Sequence, residues 1–334
     1  MNPPQFWFNP PSDPGWQAKV LVPIACVAAT LTAARLRRGT AYRADIPVIC
    51  VGNINVGGTG KTPTAIALVQ RLTSWSLQAH VVTRGYGGRL SGPVRVQEGQ
   101  HSAAETGDEA LLLAAFAPTW VSHDRAKGVQ AAQAAGAQVI VLDDGFQNPT
   151  VIKDLSLVIV DAARGFGNGR VLPAGPLREP VRIGLARADL VLSIGGDMAQ
   201  IGFMQVWGTS LGHLPQVTAK LVPLQTGMVW QGLRVMAFAG IGHPEKFFAT
   251  LRACGAEVIR AESLQDHQPL STALMQRLEI EARARQAQLV TTEKDAVRLP
   301  AAFRSKVLTL PVRLEIGDWE PIDSALSKLG LTPR

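Results

Sequence analysis

The sequence predicts an α/β fold: a doubly wound, mainly parallel sheet, a second and smaller α/β unit after it, and an apolar helix in front. Three observations carry this. At least five apolar strands recur between residues 46 and 194, separated by helical stretches. The first, residues 46–51, runs into a glycine-rich turn and a Lys-Thr pair that opens a helical pattern. Strand–turn–helix alternation then resumes at Arg234, after residues 215–232, whose alternating apolar and polar residues suit an antiparallel ribbon or linker. The division that follows is 1–45 as an N-terminal, membrane-associated helical segment, 46–214 as the larger domain, 215–232 as the linker and 233–334 as the smaller domain.

The bulk properties fit this plan. With 334 residues, 46% hydrophobic and 18% charged, the chain is too long for one typical domain and too apolar for disorder. A net charge of +7 suits an anionic partner: nucleotide, nucleic acid or anionic membrane. The three cysteines, Cys26, Cys50 and Cys254, show no pairing framework or metal spacing, which points to a reducing compartment.

In chain order, residues 20–34 form an unbroken apolar run, preceded by Lys19 and followed by Arg35, Arg37, Arg38 and Arg43. Fifteen helical residues reach about 23 Å, short of the roughly 30 Å hydrocarbon core. A signal peptide is disfavoured because no basic segment precedes the run. Burial in the core is the plain alternative. The reading adopted is a helix dipped into the membrane face, with Trp16 at the interface and the arginines on anionic headgroups.

The strand at 46–51 and the segment Gly57-Gly58-Thr59-Gly60-Lys61-Thr62 make the strand–loop–helix of a phosphate-binding P-loop. Glycines let backbone N–H groups converge on phosphate oxygens, and the helix N-terminus adds partial positive charge. Lys61 would reach the β- and γ-phosphates and the Thr62 hydroxyl would hold Mg²⁺. The position that commonly holds the first glycine of this loop is Asn55, a residue that tolerates left-handed backbone.

A helix over 63–75 and a strand over 79–83 lead to Arg84-Gly85-Tyr86-Gly87-Gly88-Arg89, a glycine turn flanked by arginines. It suits either a phosphate or sugar grip or a plain solvent loop. Residues 102–107 have loop character; Asp108 and Glu109 then open a helix over 110–116, where acidic residues suit the helix dipole as well as catalysis. After a strand at 120–122 and a helix over 125–135, the apolar strand 139–142 ends in Asp143-Asp144-Gly145-Phe146-Gln147. An apolar strand ending in aspartate downstream of a P-loop is the Walker-B arrangement, with a carboxylate near the Mg²⁺. The strand 155–160 precedes two loops that set Arg164, Arg170 and Arg178 among glycines, followed by Glu179, and a strand at 189–194 completes the first series. In the second unit, strands at 235–239, 257–261 and 289–292 alternate with helices at 245–254 and 271–286, and carry Asp266-His267 and Thr292-Glu293-Lys294-Asp295.

Taken together, GNINVGGTGKTP (52–63), RGYGG (84–88), GDE (107–109), DDGFQ (143–147), GPLRE (175–179), DH (266–267) and TEKD (292–295) resemble one family, the tetraacyldisaccharide 4′-kinases of lipid A biosynthesis. The resemblance runs over nearly the whole chain with the motifs in one order, and Asn55 looks normal within it. It implies a membrane-associated kinase of Gram-negative bacteria, at the cytoplasmic face of the inner membrane. Such an enzyme moves the γ-phosphoryl group of ATP, with Mg²⁺, to the 4′-hydroxyl of a lipid disaccharide 1-phosphate. It also implies a larger P-loop domain and a smaller C-terminal one joined by a two-stranded ribbon.

On this reading Asn55, Gly57, Gly58, Thr59, Gly60, Lys61 and Thr62 bind ATP. Thr62, Asp143 and Asp144 organise Mg²⁺. The resemblance gives Asp108 as the base, with His267 tuning it and Lys61 serving transfer. Arg84, Arg170, Arg178 and Gln147 are candidates for substrate contacts, and Glu109 and Glu179 for substrate or metal contacts. Three other classes are weighed. A kinase of a soluble acceptor shares the loop. A guanine-nucleotide switch lacks its Asn-Lys-x-Asp mark, since Glu293 stands where Asn belongs. Nucleic-acid binding lacks aromatics interleaved with the arginines. No obligate protein partner is implied.

Overall fold

The computed structural model describes residues 3–37 and 41–333. Arg38, among the basic residues after the apolar run, lies outside them. A short 3₁₀ turn, Gln5–Phe8, precedes helix α1, Trp16–Arg37. The chain continues as β1 (Val48–Gly52), α2 (Lys61–Ser74), β2 (Ala79–Thr83), β3 (Val94–Arg95), α3 (Ala103–Thr106), α4 (Asp108–Ala114), β4 (Thr119–Val121), α5 (Arg125–Ala134), β5 (Val139–Asp143), β6 (Leu155–Asp161), α6 (Val181–Leu185), β7 (Leu190–Ile194), α7 (Asp197–Leu211) and β8 (Gln216–Pro223). It then forms β9 (Arg234–Ala239), α8 (Pro244–Ala253), β10 (Glu257–Ser263), α9 (Thr272–Ala284), β11 (Gln288–Thr292), α10 (Glu293–Ala296), α11 (Ala301–Arg304), β12 (Val307–Leu310), β13 (Val312–Ile316) and α12 (Glu320–Lys328).

Nine strands form the larger sheet, in the order β13-β8-β7-β6-β1-β5-β2-β4-β3. All pairings are parallel except β3 with β4 and β13 with β8 at the two ends. The central strands β1, β2, β5, β6 and β7 are buried throughout, as β-branched runs covered on both faces should be. One face packs α2 and α12 over Val51, Val141, Ile159 and Leu192; the other carries α1 and α7 over Cys50, Leu142, Val158 and Val191. The smaller sheet, β10-β9-β11-β12, is wholly parallel.

Besides short elements the sequence reading left unassigned, β3, α6, α11, β12 and α12, the structure departs from it in four places. Residues 102–107 are not loop: Ser102 and Glu105 form a reciprocal capping box that starts α3. Residues 197–211 were given no element, yet form α7; Asp197 is its only charged residue, so it has no polar face to mark its period. The apolar helix is longer than its apolar run, 22 residues instead of fifteen, or about 33 Å. Finally, the smaller unit does not keep the whole of 233–334. The chain returns to the larger sheet, where β13 pairs antiparallel with β8 and Leu314, Ile316, Ile322, Leu326 and Leu331 join its core. The ribbon is therefore built from two segments about ninety residues apart, and only the first shows in the 215–232 pattern.

Candidate active site

The site is assembled at the C-terminal edge of the larger sheet, where the strand order steps outward on both sides of β1. The glycine-rich turn leaves β1 and enters α2 through Gly60, whose φ of 97° is one an L side chain rarely adopts. A Cβ added at Gly57 or Gly58 would meet nothing within 4 Å, so the turn faces open space of the kind a phosphate chain fills. Asn53 braces the turn, its amide donating to Thr59 Oγ1 at 3.0 Å. Asn55 is not in the left-handed region, which removes the conformational reason for its presence. It is buried, donates to the Gly165 carbonyl at 3.0 Å and bridges the backbone of Leu177. It ties the loop to its neighbours and does not line its mouth.

Asp143 and Asp144 end β5 with different surroundings. Asp143 is buried; Thr83 Oγ1 donates to its Oδ2 at 3.2 Å, and its Oδ1 has no partner. Burial pushes its carboxyl above the ordinary range, and the charges of Glu109 and Asp144 add to the effect. Asp144 adopts φ 52° and turns outward, with Arg178 at 3.2 Å and Lys61 at 3.7 Å on its Oδ1. Burial pushes its carboxyl up too, but Lys61 and Arg178 outweigh that and hold it low. A buried carboxylate with an orphaned oxygen, on the strand next to the one that leads into the P-loop, has the chemistry of a Mg²⁺ site. That cation needs only one or two carboxylates when phosphates complete its shell. Among the described residues no cluster of three His, Cys, Asp or Glu forms an all-protein cage, consistent with that mode.

The second half of the site comes from across the cleft. Asp108, buried at the start of α4, meets His267 of the smaller unit, with 2.9 Å between its Oδ2 and Nδ1. The two are 159 residues apart. His267 has φ 58°, a costly conformation of the kind that clusters at functional sites. Burial pushes the Asp108 carboxyl up, yet its bond to His267 and the charges of Lys294 and Arg298 outweigh it and hold it below the ordinary range. The glycines of RGYGG and GDE interlock: a Cβ at Gly88 would lie 2.5 Å from the Glu105 carbonyl, and one at Gly107 2.5 Å from that of Tyr86. This close approach also sets the Tyr86 ring 5.4 Å from the His267 ring.

TEKD, a motif without an assigned role in the sequence, is explained residue by residue. Thr292 caps α10 through the Asp295 amide. Glu293 holds Arg313 at 2.8 Å and the Val312 amide, anchoring β13. Asp295 is fully buried, accepts from the Gly240 amide at 3.1 Å and pairs with Arg298, which in turn donates to the Gln268 carbonyl beside His267. Lys294 reaches the site, with Nζ 3.2 Å from Glu109 and 3.3 Å from His267 Nε2. Burial disfavours its charge, but Glu109, Asp108 and Asp266 outweigh this and hold it protonated. An ammonium has no lone pair, so Nε2 must be the acceptor and Nδ1 must carry the proton donated to Asp108. The bond to Asp108 raises the His267 pKa, while burial and Lys294 oppose protonation. Because the ammonium and a protonated Nε2 cannot both donate in that contact, its geometry favours the neutral ring.

The remaining expected residues divide. Gln147 donates to the Asn53 carbonyl at 2.7 Å and accepts from Arg178 at 3.2 Å, so both lie against the P-loop and Asp144. Glu179 is buried and turned away, held by Arg187 at 2.6 Å and by Gln147 at 2.9 Å; it braces the loop and has no free oxygen for substrate. Arg84 is exposed at the end of β2 and makes no hydrogen bond among the described residues. Arg170 lies in the loop after β6 with a buried Nε lacking a partner. Arg125, Lys294 and Arg298 are the residues that sequence reasoning missed. Arg125 is buried behind β5 with Nη2 3.3 Å from the Asp143 carbonyl, and burial, opposed by Asp143 and Asp144, lowers its pKa to about 10. A buried arginine inside an alanine-rich helix pattern gives no signal of this. Two contacts hold the smaller unit over the P-loop: Lys246 with Asp161 at 2.6 Å, and Gly242, whose added Cβ would lie 3.7 Å from the Gly58 nitrogen.

The model of the family LpxK, tetraacyldisaccharide-1-P 4′-kinase, matches residues 17–330. Curated proteins named tetraacyldisaccharide 4′-kinase are similar over most of their length. That of Dinoroseobacter shibae is 60% identical over 329 residues, covering 98% of each chain. That of Jannaschia sp. is 58% identical over 329 residues, covering 98% of this chain and 99% of its own. Among solved structures, the "apo" form of LpxK from Aquifex aeolicus in complex with ATP superimposes with a TM-score of 0.74 at 24% identity, covering 93% of this chain and 99% of its own. That likeness speaks for the fold.

Proposed function

The chain belongs to the tetraacyldisaccharide-1-P 4′-kinase family, and from that premise we propose how its site performs ATP-dependent phosphorylation of the lipid disaccharide at its 4′-hydroxyl. The observation that carries the proposal is the Asp108–His267 pair, brought together from the two units.

Phosphoryl transfer needs positioning and charge neutralisation more than covalent help. The P-loop amides and Lys61 hold the triphosphate; Lys61 leaves its resting partner Asp144 to do so. Thr62 and Asp143 fit the Mg²⁺ that accompanies ATP, with Asp144 beside them, and that ion would neutralise phosphate charge. The 4′-hydroxyl is a poor nucleophile until its proton leaves. Asp108, ionised and held by the Nδ1–H of His267, accepts that proton as the oxygen bonds to the γ-phosphorus. The bond to the ADP oxygen breaks, and its electron pair stays on ADP. On this reading Arg178 and Arg84 would meet phosphate charge of the substrates.

A tetraacylated acceptor stays in the bilayer, so the enzyme must reach it there. On α1 the exposed Trp16, Val20, Ile24, Val27 and Leu31 fall within an arc of about 80° at 100° per residue. Ala18 and Ala25 are buried on the opposite side, with Leu21 and Ala29 half-buried against the core. A helix that leans on its own protein along one side lies in the interface, although 22 residues would be long enough to span. The cytoplasmic face, where ATP is, is the side proposed. The test is transfer of radiolabelled γ-phosphate to a tetraacyldisaccharide 1-phosphate, followed by locating the label. Label on the 4′-oxygen is expected; ATP hydrolysis without a labelled lipid would overturn the proposal.

A further inference from the structure

Among the described residues seventeen large apolar side chains are exposed, and ten of them sit on only three helices: five on α1, Ile183 on α6, and Met198, Ile201, Met204 and Val206 on α7. The three helices are neighbours. A groove of about 340 Å³ between α1 and α6 is lined by Ala29, Ala33, Ala34, Arg37 and Ile183. A second lies between α6 and the end of α7. Beneath, Ala25 of α1 shares one core cluster with Leu185 of α6 and Phe203, Trp207 and Leu211 of α7.

α7 is the unexpected member. Its inner face is fixed by Phe203, Trp207 and Leu211, with Phe166 packed against both aromatic rings. At 100° per residue, Met198 and Ile201 fall on the opposite side and Met204 and Val206 on its two flanks. Met198 is 80% exposed. No Lys, Arg or Glu occurs in the helix, and its one acid, Asp197, is the first residue. A water-facing helix is built otherwise, as α9 shows: Arg277 and Arg283 are exposed around a single Ile280.

We infer that the membrane-binding face is a three-helix platform, α1, α6 and α7, and that the outer side of α7 beds into an anionic phospholipid bilayer alongside α1. The inference rests on the membrane reading of α1 and extends it to a helix about 160 residues further along the chain. Continuity with α1 commits the patch to lipid, and the basic residues around it, Lys19, Arg35, Arg37 and Arg182, suit anionic headgroups. Two adjoining contacts also fix the rotation of the protein on the bilayer, which one helix alone leaves free.

The test compares full-length wild type, Met198→Glu/Ile201→Glu, Ile24→Glu and the control Ile280→Glu for cosedimentation with phosphatidylcholine–phosphatidylglycerol vesicles. The α7 double variant is expected to bind about 30-fold more weakly, from two lost apolar contacts and two added negative charges. Ile280→Glu should bind as wild type does. Transfer to an acceptor dispersed in detergent should be unchanged in the α7 variant, which shows that it folds. Should it fail to fold, an environment-sensitive dye on Ile201→Cys, with the exposed Cys26 and the half-buried Cys254 first changed to serine, is expected to shift to the blue on vesicles, while the same dye on Ile280→Cys in that background does not. Normal vesicle binding by the α7 variant, or an unshifted dye at residue 201, overturns the platform; if Ile24→Glu still fails to bind, the reading of α1 survives. Wild type that ignores vesicles overturns both. A wild-type dimer in solution that the α7 variant dissociates, with vesicle binding intact, assigns the patch to a second copy and overturns the inference.

Discussion

Replacing Lys294 with methionine keeps an unbranched apolar stem and removes the charge that faces His267 Nε2 at 3.3 Å and Glu109 at 3.2 Å. The loss acts on the base through the imidazole. Without the ammonium, the Asp108 carboxylate still holds Nδ1 as the donor, but a second proton on Nε2 is no longer opposed, and a charged ring beside Asp108 makes it a weaker base. A hydrogen bond to a charged group contributes about 1.5–3 kcal/mol net. If about 2 kcal/mol of this is realised at the transition state, kcat falls about 30-fold. KM for ATP should hold, because the Lys294 ammonium contacts the catalytic pair and Glu109, and not the P-loop. Removing a nearby positive charge also raises the Asp108 pKa, so the acid limb of the pH–rate profile moves to higher pH. Lys294→Arg should recover part of kcat and return the limb. Steady-state kinetics over a pH series, with ¹⁵N shifts of His267 reporting its protonation, form the assay. A Lys294→Met enzyme with kcat within about twofold of wild type and an unmoved limb would refute this role of Lys294.

Three further outcomes follow from the same geometry. Asp108→Asn should lower turnover by about 10²–10⁴-fold, the range for removing a general base, while ATP binding measured by titration survives. In the wild type, Asp108 is held low by His267, Lys294 and Arg298 against the effect of burial; its ionised form persists as pH falls, so the acid limb of kcat/KM should lie below the ordinary aspartate range. A limb near neutrality would assign the base elsewhere. Arg187→Ala leaves the buried Glu179 carboxylate with Gln147 alone and should cost about 3 kcal/mol by denaturant unfolding, whereas a change under about 0.5 kcal/mol would mean that Glu179 is hydrated or protonated instead.

Much of this site was legible because its parts are local. A P-loop needs glycines, lysine and threonine at fixed spacing on one turn, and a strand ending in Asp143 announces itself by its apolar run. Asn55 was noticed for its position but explained by the wrong cause: it is held by a carbonyl 110 residues away and not by its own backbone angle. Glu179, a candidate for substrate or metal contacts by sequence, is met by Arg187 and Gln147. Lys294 could be seen as a letter in a motif, but its role depends on what stands opposite it.

The sequence alone determined the central strands, the P-loop, the aspartates and the apolar helix, since each follows from periodicity or spacing within some fifteen residues. Only the tertiary structure decided which oxygens are free, where β13 returns, what faces His267 and that α1, α6 and α7 share one core cluster. These are matters of packing between segments distant in the chain, and hydrophobic burial sets that packing without leaving a periodic trace in either segment.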